Sequence, residues 1–284
     1  MTIREIELES EAYPARLRAL GDAPKKVWIR GELPSRPSVA IVGTRRASRE
    51  ALVFTERLAF ELGRAGVPIV SGGAEGIDAA AHRGALEAGV ATVVVHGTSL
   101  RDLYPPKHRR MFAQILEAGG AWLSETPIGA PALGFRFLKR NRLIAALAEL
   151  VVVVQAPVRS GALSTARFAR ALDRPVLAVP AAPWDPRGEG TLALLAEAAR
   201  MCRAPVDVLE LLGLPGIPID PPRAEHPRGS SDAELVHTAL METPAHVDDL
   251  VASTGLTAAK ISVALVELSI AGRARQDGGV WRAA

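Results

Sequence analysis

Four cations and two aromatic side chains fall within eight consecutive positions of this chain, in the run FRFLKRNR at residues 135–142. The cations are Arg136, Lys139, Arg140 and Arg142, and the rings are Phe135 and Phe137. Phosphates attract Arg and Lys whatever the base sequence, and unpaired bases offer flat faces on which Phe and Arg stack. The run therefore predicts a site for a single nucleic-acid strand. The alternative is that both rings start a helix against the core while the cations lie in solvent.

Three further segments carry small or polar residues directly after predicted strands: IVGTRRAS (41–48), VSGGAEGIDAAAH (70–82) and APVRSGALSTARFA (156–169). The residues of interest are Gly43, Thr44, Arg45 and Arg46 in the first turn, Gly72, Gly73 and Gly76 in the second, and Ser160, Gly161, Ser164 and Thr165 in the third. Amides at a helix N-terminus and Arg side chains bind anions, and open α/β sheets bind ligands beyond the carboxyl ends of their strands. We expect the three turns to converge. Taken singly, each turn also fits surface arginines, packing glycines or a helix cap.

Asp78 and His82 lie one helical turn apart after the second turn, a spacing that fits acid-base chemistry or half of a metal site. No third ligand lies at metal spacing, so the pair favours a structural hydrogen bond that fixes the loop. Neither GxxxxGK followed by Ser or Thr nor GxSxG occurs, which disfavours an ATP-driven motor and a serine hydrolase. No catalytic residue, metal or cofactor is predicted.

The elements that must position these residues follow an alternating pattern. Short apolar runs, among them SVAIV (38–42), VPIVS (67–71), ATVVVHG (91–97), AWLS (121–124), LVVVVQA (150–156) and PVLAVP (175–180), are separated by helical stretches such as 109–117, 143–148 and 163–171. This alternation predicts an α/β fold with a parallel sheet and crossover helices. Residues 151–154 are wholly apolar and are expected to be buried on both faces, and residues 139–142 are expected in a loop before the helix at 143.

The chain is expected to divide into four parts. Residues 1–37 form an N-terminal segment packed on the main domain, with a short helix and an edge strand, because they hold too few apolar residues for their own core. Residues 38–213 form the α/β domain. Residues 214–231 are proline-rich and should be a linker. Residues 232–284 read as three helices and a terminal hairpin, the pattern of a winged-helix domain.

Composition limits the function classes. The 284 residues hold a single cysteine, Cys202, which excludes an internal disulfide and a multi-cysteine metal site. No apolar run approaches a membrane span and the N-terminus has no apolar signal core, so a cytoplasmic protein is expected. The net charge is +3, but residues 230–284 hold seven acidic and four basic residues, net −3, which leaves +6 on residues 1–229. A polyanionic partner is therefore expected on the larger part.

Together these motifs resemble the DNA processing protein A family (DprA, also called Smf), the single-strand DNA binders of natural transformation. The resemblance spans Tyr13 to about Leu212 and extends into the winged helix. It rests on YPARLRAL, IVGTRRAS, IVSGGAEGIDAAAHRGAL, the YP of DLYPPKHRR, LSETPIG, RNRLIA after a Phe, and SGALSTARFA. Several ordered motifs over most of a domain are more specific than any one glycine-rich turn.

The resemblance implies an extended Rossmann-like parallel sheet with a C-terminal winged helix and no established catalytic activity. It implies a protein that protects incoming single-stranded DNA, passes it to the RecA recombinase and commonly forms a homodimer. Carried over onto this sequence, the phosphate pocket comprises Gly43, Thr44, Arg45, Arg46, Ser71, Gly72, Gly73, Lys139, Arg140, Asn141, Arg142, Ser160, Gly161 and Thr165. On this view the three turns belong to one DNA-binding site.

The sequence departs from the family pattern at several places. Leu138 stands where a proline is usual, Ala181 where a glycine is usual, and Gln155 where an acidic residue is usual. The family often begins with a small helical domain, for which the residues before Tyr13 are too few. These changes leave the phosphate pocket intact and bear on the dimer contacts and the RecA transfer.

Two other functions remain open on the residues. One is a nucleotide-binding Rossmann enzyme resembling nucleoside monophosphate phosphoribohydrolases, although their PGGxGTxxE motif is replaced here by RSGALSTARFA without the Glu. Its candidate carboxylates are Glu75, Asp78 and Glu125. The other is a winged-helix regulator that reads duplex DNA. Its third helix carries one cation, Lys260, within an acidic domain, which disfavours a groove reader.

Overall fold

The computed structural model describes residues 2–214, 231–277 and 279–283. The chain divides into two units, Met1–Ile217 and Pro218–Ala284. The proline-rich linker predicted at residues 214–231 lies, apart from its two end residues, outside the described part of the chain. Each unit buries apolar clusters of its own, built on the sheet in the first unit and between helices in the second.

Nine strands of the first unit pair in one sheet. They are β1 (Arg4–Glu7), β2 (Lys26–Gly31), β3 (Val39–Val42), β4 (Ile69–Ser71), β5 (Thr92–His96), β6 (Ala121–Ser124), β7 (Leu150–Val153), β8 (Val176–Ala178) and β9 (Arg200–Met201). Their order is β1-β2-β6-β5-β4-β3-β7-β8-β9, and the seven strands from β6 to β9 run parallel. The central strands β3 and β7 pair with Ala40 opposite Val151 and are apolar and buried along their whole length, as predicted.

Helices cover both faces of this sheet. They are α1 (Ala15–Arg18), α2 (Arg49–Arg64), α3 (Ile77–Glu87), α4 (Arg109–Glu117), α5 (Gly134–Leu147), α6 (Gly161–Ala171), α7 (Glu189–Ala196) and α8 (Pro205–Leu211). Successive strand side chains point to opposite faces. Ile41 of β3 accordingly packs in the cluster with α2, α3 and α8, while Val42 packs in the cluster with α1, α5, α6 and α7. The predicted α/β fold with crossover helices is confirmed.

The strand order reverses beside β3. From β3 the chain steps through β4, β5 and β6 to one side, and it then returns to place β7 on the other side of β3. Loops that follow β3 and β7 therefore turn away from each other and leave a crevice between them. Ligands of open α/β sheets bind in such a crevice, outside the carboxyl ends of the strands.

The N-terminal residues extend the sheet at one edge. Strand β2 pairs antiparallel with β6, with Ile29 opposite Leu123, and β1 pairs antiparallel with β2. Between them, α1 buries Leu17 against the main cluster, and the Tyr13 hydroxyl donates to the Pro24 carbonyl at 2.8 Å. The apolar residues of this segment are thus used to cover the larger core.

The described part of the second unit contains three helices and a hairpin. They are α9 (Ser231–Glu242), α10 (Val247–Thr254), α11 (Ala258–Ile270), β10 (Ala274–Asp277) and β11 (Val280–Ala283). Val236, Leu250, Leu265 and Leu268 form the centre of its core. Gly255 ends α10 in the left-handed conformation at φ 71°, which favours glycine. This is the winged-helix arrangement that the sequence predicts.

Two further features concern the whole described part of the chain. No single helix within it is long and apolar enough to cross a membrane, and only α10 and α11 taken together, bent by 109°, meet such a test by length and composition. Within the same residues, no group of three or more His, Cys, Asp or Glu side chains is placed to hold a metal ion.

Two buried histidines make the stability of the first unit sensitive to acid. Burial lowers the pKa of His82 and of His96 from 6.5 to about 3. In the unfolded chain these groups take up a proton near pH 6.5, whereas in the folded chain they stay neutral. The contribution of each histidine to folding stability is therefore complete above pH 6.5. It falls by about 1.4 kcal/mol per pH unit as the pH is lowered from 6.5 towards 3.

The replacement His82→Asn tests this prediction. His82 Nδ1 lies 2.8 Å from Thr92 Oγ1, and asparagine can keep a polar atom near that position without titrating. Urea unfolding at pH 7 and at pH 5 should show that acidification lowers the unfolding free energy less in the variant than in the wild type. Below pH 6.5 the difference should grow by about 1.4 kcal/mol per pH unit, because the variant takes up one proton fewer on unfolding. An equal loss in both proteins would contradict the assignment.

Candidate functional site

A cavity of about 610 Å³ lies at the carboxyl edge of the sheet, where the strand order reverses. Nine of the predicted site residues line it: Gly43, Thr44, Arg45, Arg46, Arg140, Asn141, Ser160, Gly161 and Thr165. The predicted convergence is confirmed for the first and third turns, and the second turn contributes Ala74 and Asp78. Ser71, Gly72, Gly73, Lys139 and Arg142 are not among the lining residues.

The first turn is held against the end of β7. The Thr44 amide donates to the Gln155 carbonyl at 2.7 Å, and the Ser48 amide donates to Gln155 Oε1 at 2.9 Å. A Cβ at Gly43 would lie 2.5 Å from Ile77 Cγ1, so this close approach requires glycine. Ser48 caps α2 by accepting from the Ala51 amide. The turn is therefore a fixed part of the cavity wall.

The third turn is fixed by a helix cap and by a side chain from α5. Ser160 caps α6 by accepting from the Ala162 amide. Asn141 Nδ2 donates to the Gly161 carbonyl at 3.0 Å and to Ser164 Oγ at 2.9 Å. Thr165 is buried one turn further along α6 and completes this wall. Asn141 is thus a structural clamp as well as a lining residue.

The second turn packs beneath the cavity. Ser71 is buried and its hydroxyl donates to the Ile41 carbonyl at 2.6 Å, which joins β4 to β3. Gly73 has φ 71°, and a Cβ at Gly76 would lie 2.3 Å from the Thr44 carbonyl oxygen. These glycines allow the second turn to pass close under the first. Gly72 lines a smaller cavity that shares Arg45, Ala74, Tyr104, Phe137 and Arg140 with the large one.

Asp78 and His82 do not bond each other as the sequence suggested. The Ala74 amide donates to Asp78 Oδ2 at 3.3 Å, so Asp78 does fix the second loop. His82 instead lies beside Thr92 on β5. Residues four apart on a helix lie on the same face. On this face of α3, Asp78 contacts the loop before the helix and His82 contacts the neighbouring strand β5.

The basic run is helical, and the loop predicted for residues 139–142 is wrong. A single helix, α5, covers Gly134–Leu147. No proline or glycine follows Gly134 within this stretch, so nothing interrupts the helix before the apolar residues that anchor it in the core. Helical periodicity then separates the residues of the run: Phe137, Arg140 and Asn141 line the cavity, while Lys139 and Arg142 do not.

Lys139 and Arg142 bind carboxylates instead of facing the cavity. Arg142 is 3% exposed and donates from Nε to Asp22 Oδ2 and from Nη2 to Glu125 Oε2, both at 2.7 Å. Lys139 Nζ lies 3.2 Å from the same Glu125 oxygen, with half of its side chain exposed. Arg142 therefore ties the N-terminal segment and the loop after β6 to α5, while Lys139 keeps access to solvent.

Arg140 is a buried cation at the base of the cavity. Its Nη1 donates to the Gly72 carbonyl at 2.6 Å and to the Val95 carbonyl, and its Nε donates to Asn141 Oδ1 at 3.2 Å. Burial lowers the pKa of Arg140 to about 10, an effect that the negative charge of Asp78 opposes. Burial likewise raises the pKa of Asp78, which Arg140 opposes. The two groups compensate each other in the interior.

Three exposed arginines surround the opening: Arg45 and Arg46 from the first turn and Arg159 from the third. Among the described residues none of the three forms an ion pair, which distinguishes them from Lys139 and Arg142. Arg140 is instead buried against backbone carbonyls. Arg159 was missed from the sequence, although it directly precedes Ser160 in a turn already singled out. The cavity therefore combines a concave wall with positive charge that is free to bind an anion.

Aromatic side chains flank the same opening. Tyr104 and Phe137 line the cavity with ring centres 5.5 Å apart, and the Arg45 guanidinium lies 5.9 Å from the Phe137 ring centre. Tyr104 is 48% exposed. Phe135 is exposed and contacts Arg136. The opening thus offers flat faces beside its cations.

The carboxylates that an enzyme would need are mostly engaged. Glu75 pairs with Lys107 at 2.8 Å, and Glu125 pairs with Arg142 and Lys139. Asp78 lines the large cavity but holds the Ala74 amide. None of the three stands free to act at a bound sugar.

In the second unit, α11 is the third helix, the one that would enter a DNA groove in a winged-helix regulator. It exposes several apolar side chains. Val263, Val266 and Ile270 of α11 are exposed, and Lys260 pairs with Asp232 at 3.2 Å. The hairpin places Arg275 opposite Arg282. The cation count on α11 is therefore low for a helix that reads a DNA groove.

Two family models match the chain. DNA recombination-mediator protein A matches residues 4–213, which is most of the first unit. The DprA winged helix domain matches residues 220–279.

Individual relatives agree with these matches. Protein Smf of Escherichia coli (strain K12) is 36% identical over 94% of this chain and 74% of its own length. DNA processing protein DprA of Streptococcus pneumoniae (strain ATCC BAA-255 / R6) is 37% identical over 70% of this chain and 71% of its own. The crystal structure of the Streptococcus pneumoniae protein superposes with a TM-score of 0.69 at 35% identity, over 73% of this chain and 74% of that one.

A second solved structure, of DNA processing protein A from Helicobacter pylori, superposes with a TM-score of 0.67 at 32% identity. It covers 74% of this chain and 95% of that one, and it was described for its unique single-stranded DNA binding mode.

Proposed function

The chain belongs to the DNA recombination-mediator protein A family, DprA/Smf, and from this premise we propose that its first unit binds single-stranded DNA along the carboxyl edge of the sheet. The observation that carries the proposal is the set of three exposed arginines without ion pairs, Arg45, Arg46 and Arg159, around the 610 Å³ cavity. The Helicobacter pylori relative, described by its single-stranded DNA binding mode, supports the same ligand.

Phosphates are bound by the arginines and by helix N-termini. Ser48 and Ser160 begin α2 and α6 on either side of the cavity, so the N-terminal amides and positive dipole ends of both helices lie near it. Arg45 and Arg46 add full charge on one wall and Arg159 on the other. A phosphodiester backbone crossing between β3 and β7 meets positive potential from both sides.

Bases are bound by stacking and not by sequence-specific hydrogen bonds. Phe137, Tyr104 and the exposed Leu138 line the opening, and Arg45 lies over the Phe137 ring. Every base has a flat face, so such contacts tolerate any sequence. In a duplex these faces are hidden in the stack, which is why the proposal specifies a single strand.

The remaining predicted site residues support the site indirectly. Ser71 joins β4 to β3, and Gly73 adopts the left-handed conformation at φ 71°. A Cβ at Gly72 would lie 2.6 Å from Arg140 Nη2, so glycine leaves room for that side chain. Arg142 anchors α5 through Asp22 and Glu125. Lys139 is half exposed at the rim and can add a phosphate contact when it leaves Glu125. We assign the direct contacts to Arg45, Arg46, Arg159 and Phe137.

The finer proposal is that the protein works in the cytoplasm as a homodimer that protects incoming DNA and helps to load RecA during natural transformation. The family resemblance supports it, and no catalytic step is part of it. A RecA nucleation lag on oligo-dT that the protein leaves unchanged would contradict the loading role, and a monomer in sedimentation would contradict the dimer.

Fluorescence anisotropy of labelled oligo-dT and of a matching duplex across a salt series tests DNA binding. We expect tighter binding of the single strand, with log K falling by about 0.7 per phosphate contact for each unit of log salt. Substitution of Lys260, which is paired with Asp232 on the acidic second unit, should leave this binding unchanged. Equal affinity for the duplex, or no binding of either, would contradict the proposal.

A further inference from the structure

Trp184 is the most exposed of the large apolar side chains in the described part of the first unit, with 85% of its surface accessible. It lies in the loop of residues 179–188, between β8 and α7. Two successive turns hold the loop, because the Asp185 amide donates to the Ala182 carbonyl and the Gly188 amide donates to the Asp185 carbonyl, both at 2.9 Å. Burial of an indole ring away from water is favourable. An indole that a fixed loop holds in water is therefore a candidate binding surface.

This loop is tied directly to the wall of the large cavity. Gln155 Nε2 donates to Asp185 Oδ2 at 3.2 Å, while Gln155 Oε1 accepts from the Ser48 amide. The Gly190 amide, just after the loop, donates to the Ala156 carbonyl at 2.8 Å. Gln155 therefore bridges the first turn, which lines the cavity, and the residue next to Trp184.

The position of the loop in the sheet sets its distance from the cavity. β3, β7 and β8 are neighbours, and all three run parallel. With about 4.8 Å between adjacent strands, the loop after β8 begins roughly 10 Å from the turn after β3. That distance is short enough for one bound strand to reach from the cavity to the loop.

The charges along this edge favour a polyanion. Arg46, Arg49 and Arg159 are exposed, and among the described residues none forms an ion pair. Near Trp184 itself, Arg187 neutralises Asp185 at 2.9 Å and also lies near Glu50 at the start of α2. The acid next to Trp184 in the sequence, Asp185, is therefore paired with a cation.

We propose that Trp184 is a second base-stacking platform, which binds a nucleobase of the strand beyond the cavity. The inference rests on the proposed function and extends the DNA path from the crevice between β3 and β7 to the loop after β8. Trp184 supplies affinity through the base alone, because its side chain carries no charge. A second copy of this chain is the other occupant that the exposed ring could take, and the experiment below separates the two.

The test compares two ligands of equal charge: oligo-dT of about 20 nucleotides and an abasic oligomer of the same length, both measured by anisotropy. Trp184→Ala should weaken binding of oligo-dT about fivefold or more, the lower end for loss of one base–aromatic stack. Binding of the abasic oligomer should stay within about twofold. Trp184→Phe should restore most of the lost affinity, and Ile270→Ala, which removes an equally exposed side chain from the second unit, should have no effect.

Intrinsic fluorescence gives an independent readout. Trp28 and Trp122 are 6% and 5% exposed and cannot stack on a base, and Trp281 packs against the core of the second unit. Quenching of emission by bound oligo-dT should therefore arise mainly at Trp184. Trp184→Phe should abolish most of that quenching while the strand remains bound. Retained quenching in Trp184→Phe would overturn the proposal.

The other outcomes also decide the question. Equal weakening of oligo-dT and abasic binding by Trp184→Ala would overturn the inference, as would wild-type affinity for oligo-dT. A change of sedimentation coefficient in Trp184→Ala without any change in DNA binding would assign the ring to a second copy of the chain. Failure of the wild type to bind oligo-dT at all would instead remove the proposed function, on which the inference depends.

Discussion

Replacement of Arg45 by alanine is expected to lower the affinity for oligo-dT by about 10- to 100-fold, the range for loss of a charge-assisted hydrogen bond. Arg45 lines both the large and the small cavity, is exposed, and lies 5.9 Å from the Phe137 ring centre. The substitution therefore removes a phosphate contact and a stacking partner together. In a salt series by anisotropy, the slope of log K against log salt should fall by about 0.7.

Arg64→Ala is the matched control for this prediction. Arg64 is an exposed arginine in the last turn of α2, whereas Arg45 lies just before the start of the same helix. The control removes the same net charge but leaves the cavity unchanged, so it should keep both the affinity and the slope close to the wild type. If Arg64→Ala and Arg45→Ala weaken binding equally, the effect is one of net charge and the cavity is not the site.

Replacement of Arg140 by methionine is expected to lower the free energy of unfolding by about 3–5 kcal/mol, the cost of breaking a buried charge arrangement by removing one member. The guanidinium satisfies the Gly72 and Val95 carbonyls, and its charge opposes the desolvation of Asp78. Without it, two buried carbonyls lose a donor and the pKa of Asp78 rises further. Urea unfolding followed by circular dichroism measures the change.

Two comparisons identify the cause of the Arg140 effect. Arg136→Ala, on the first turn of the same helix, removes an exposed bond to the Pro131 carbonyl and should cost less than about 1 kcal/mol. Adding Asp78→Asn to Arg140→Met removes the uncompensated carboxylate and should recover part of the lost stability. A double variant no more stable than Arg140→Met would show that the carbonyl bonds, and not the charge of Asp78, account for the cost.

Much of the fold follows from local patterns in the sequence. Apolar runs of four or five residues such as VAIV and LVVV, alternating with helical stretches, are sufficient to predict parallel strands and crossover helices. The turns after β3 and β7 could also be recognised, because Gly43 and Ser160 belong to residue types that strand-to-helix turns require. Their convergence follows from topology, since parallel strands end at one edge.

The roles of the cations could not be read from their spacing. Arg140, Arg142 and Lys139 look alike in the sequence, yet one is buried against backbone carbonyls, one is bound to Asp22 and Glu125, and one stays half exposed. The difference arises because α5 is a helix, in which residues one to three positions apart point in different directions and contact different neighbours. Those neighbours, Asp22 and Glu125, lie far away in the sequence.

The sequence by itself determined most element types and the edge of the sheet at which small and basic residues gather, because these depend on periodicity and residue type over short stretches. The family could be named from the sequence because several ordered motifs resemble those of its members. Only the tertiary structure decided which arginines remain without a carboxylate, that Arg159 joins Arg45 and Arg46, and that Trp184 stands exposed on the loop after β8. Burial and pairing are properties of contacts between distant segments. An arginine is free to bind a phosphate only when the fold brings no acid to it.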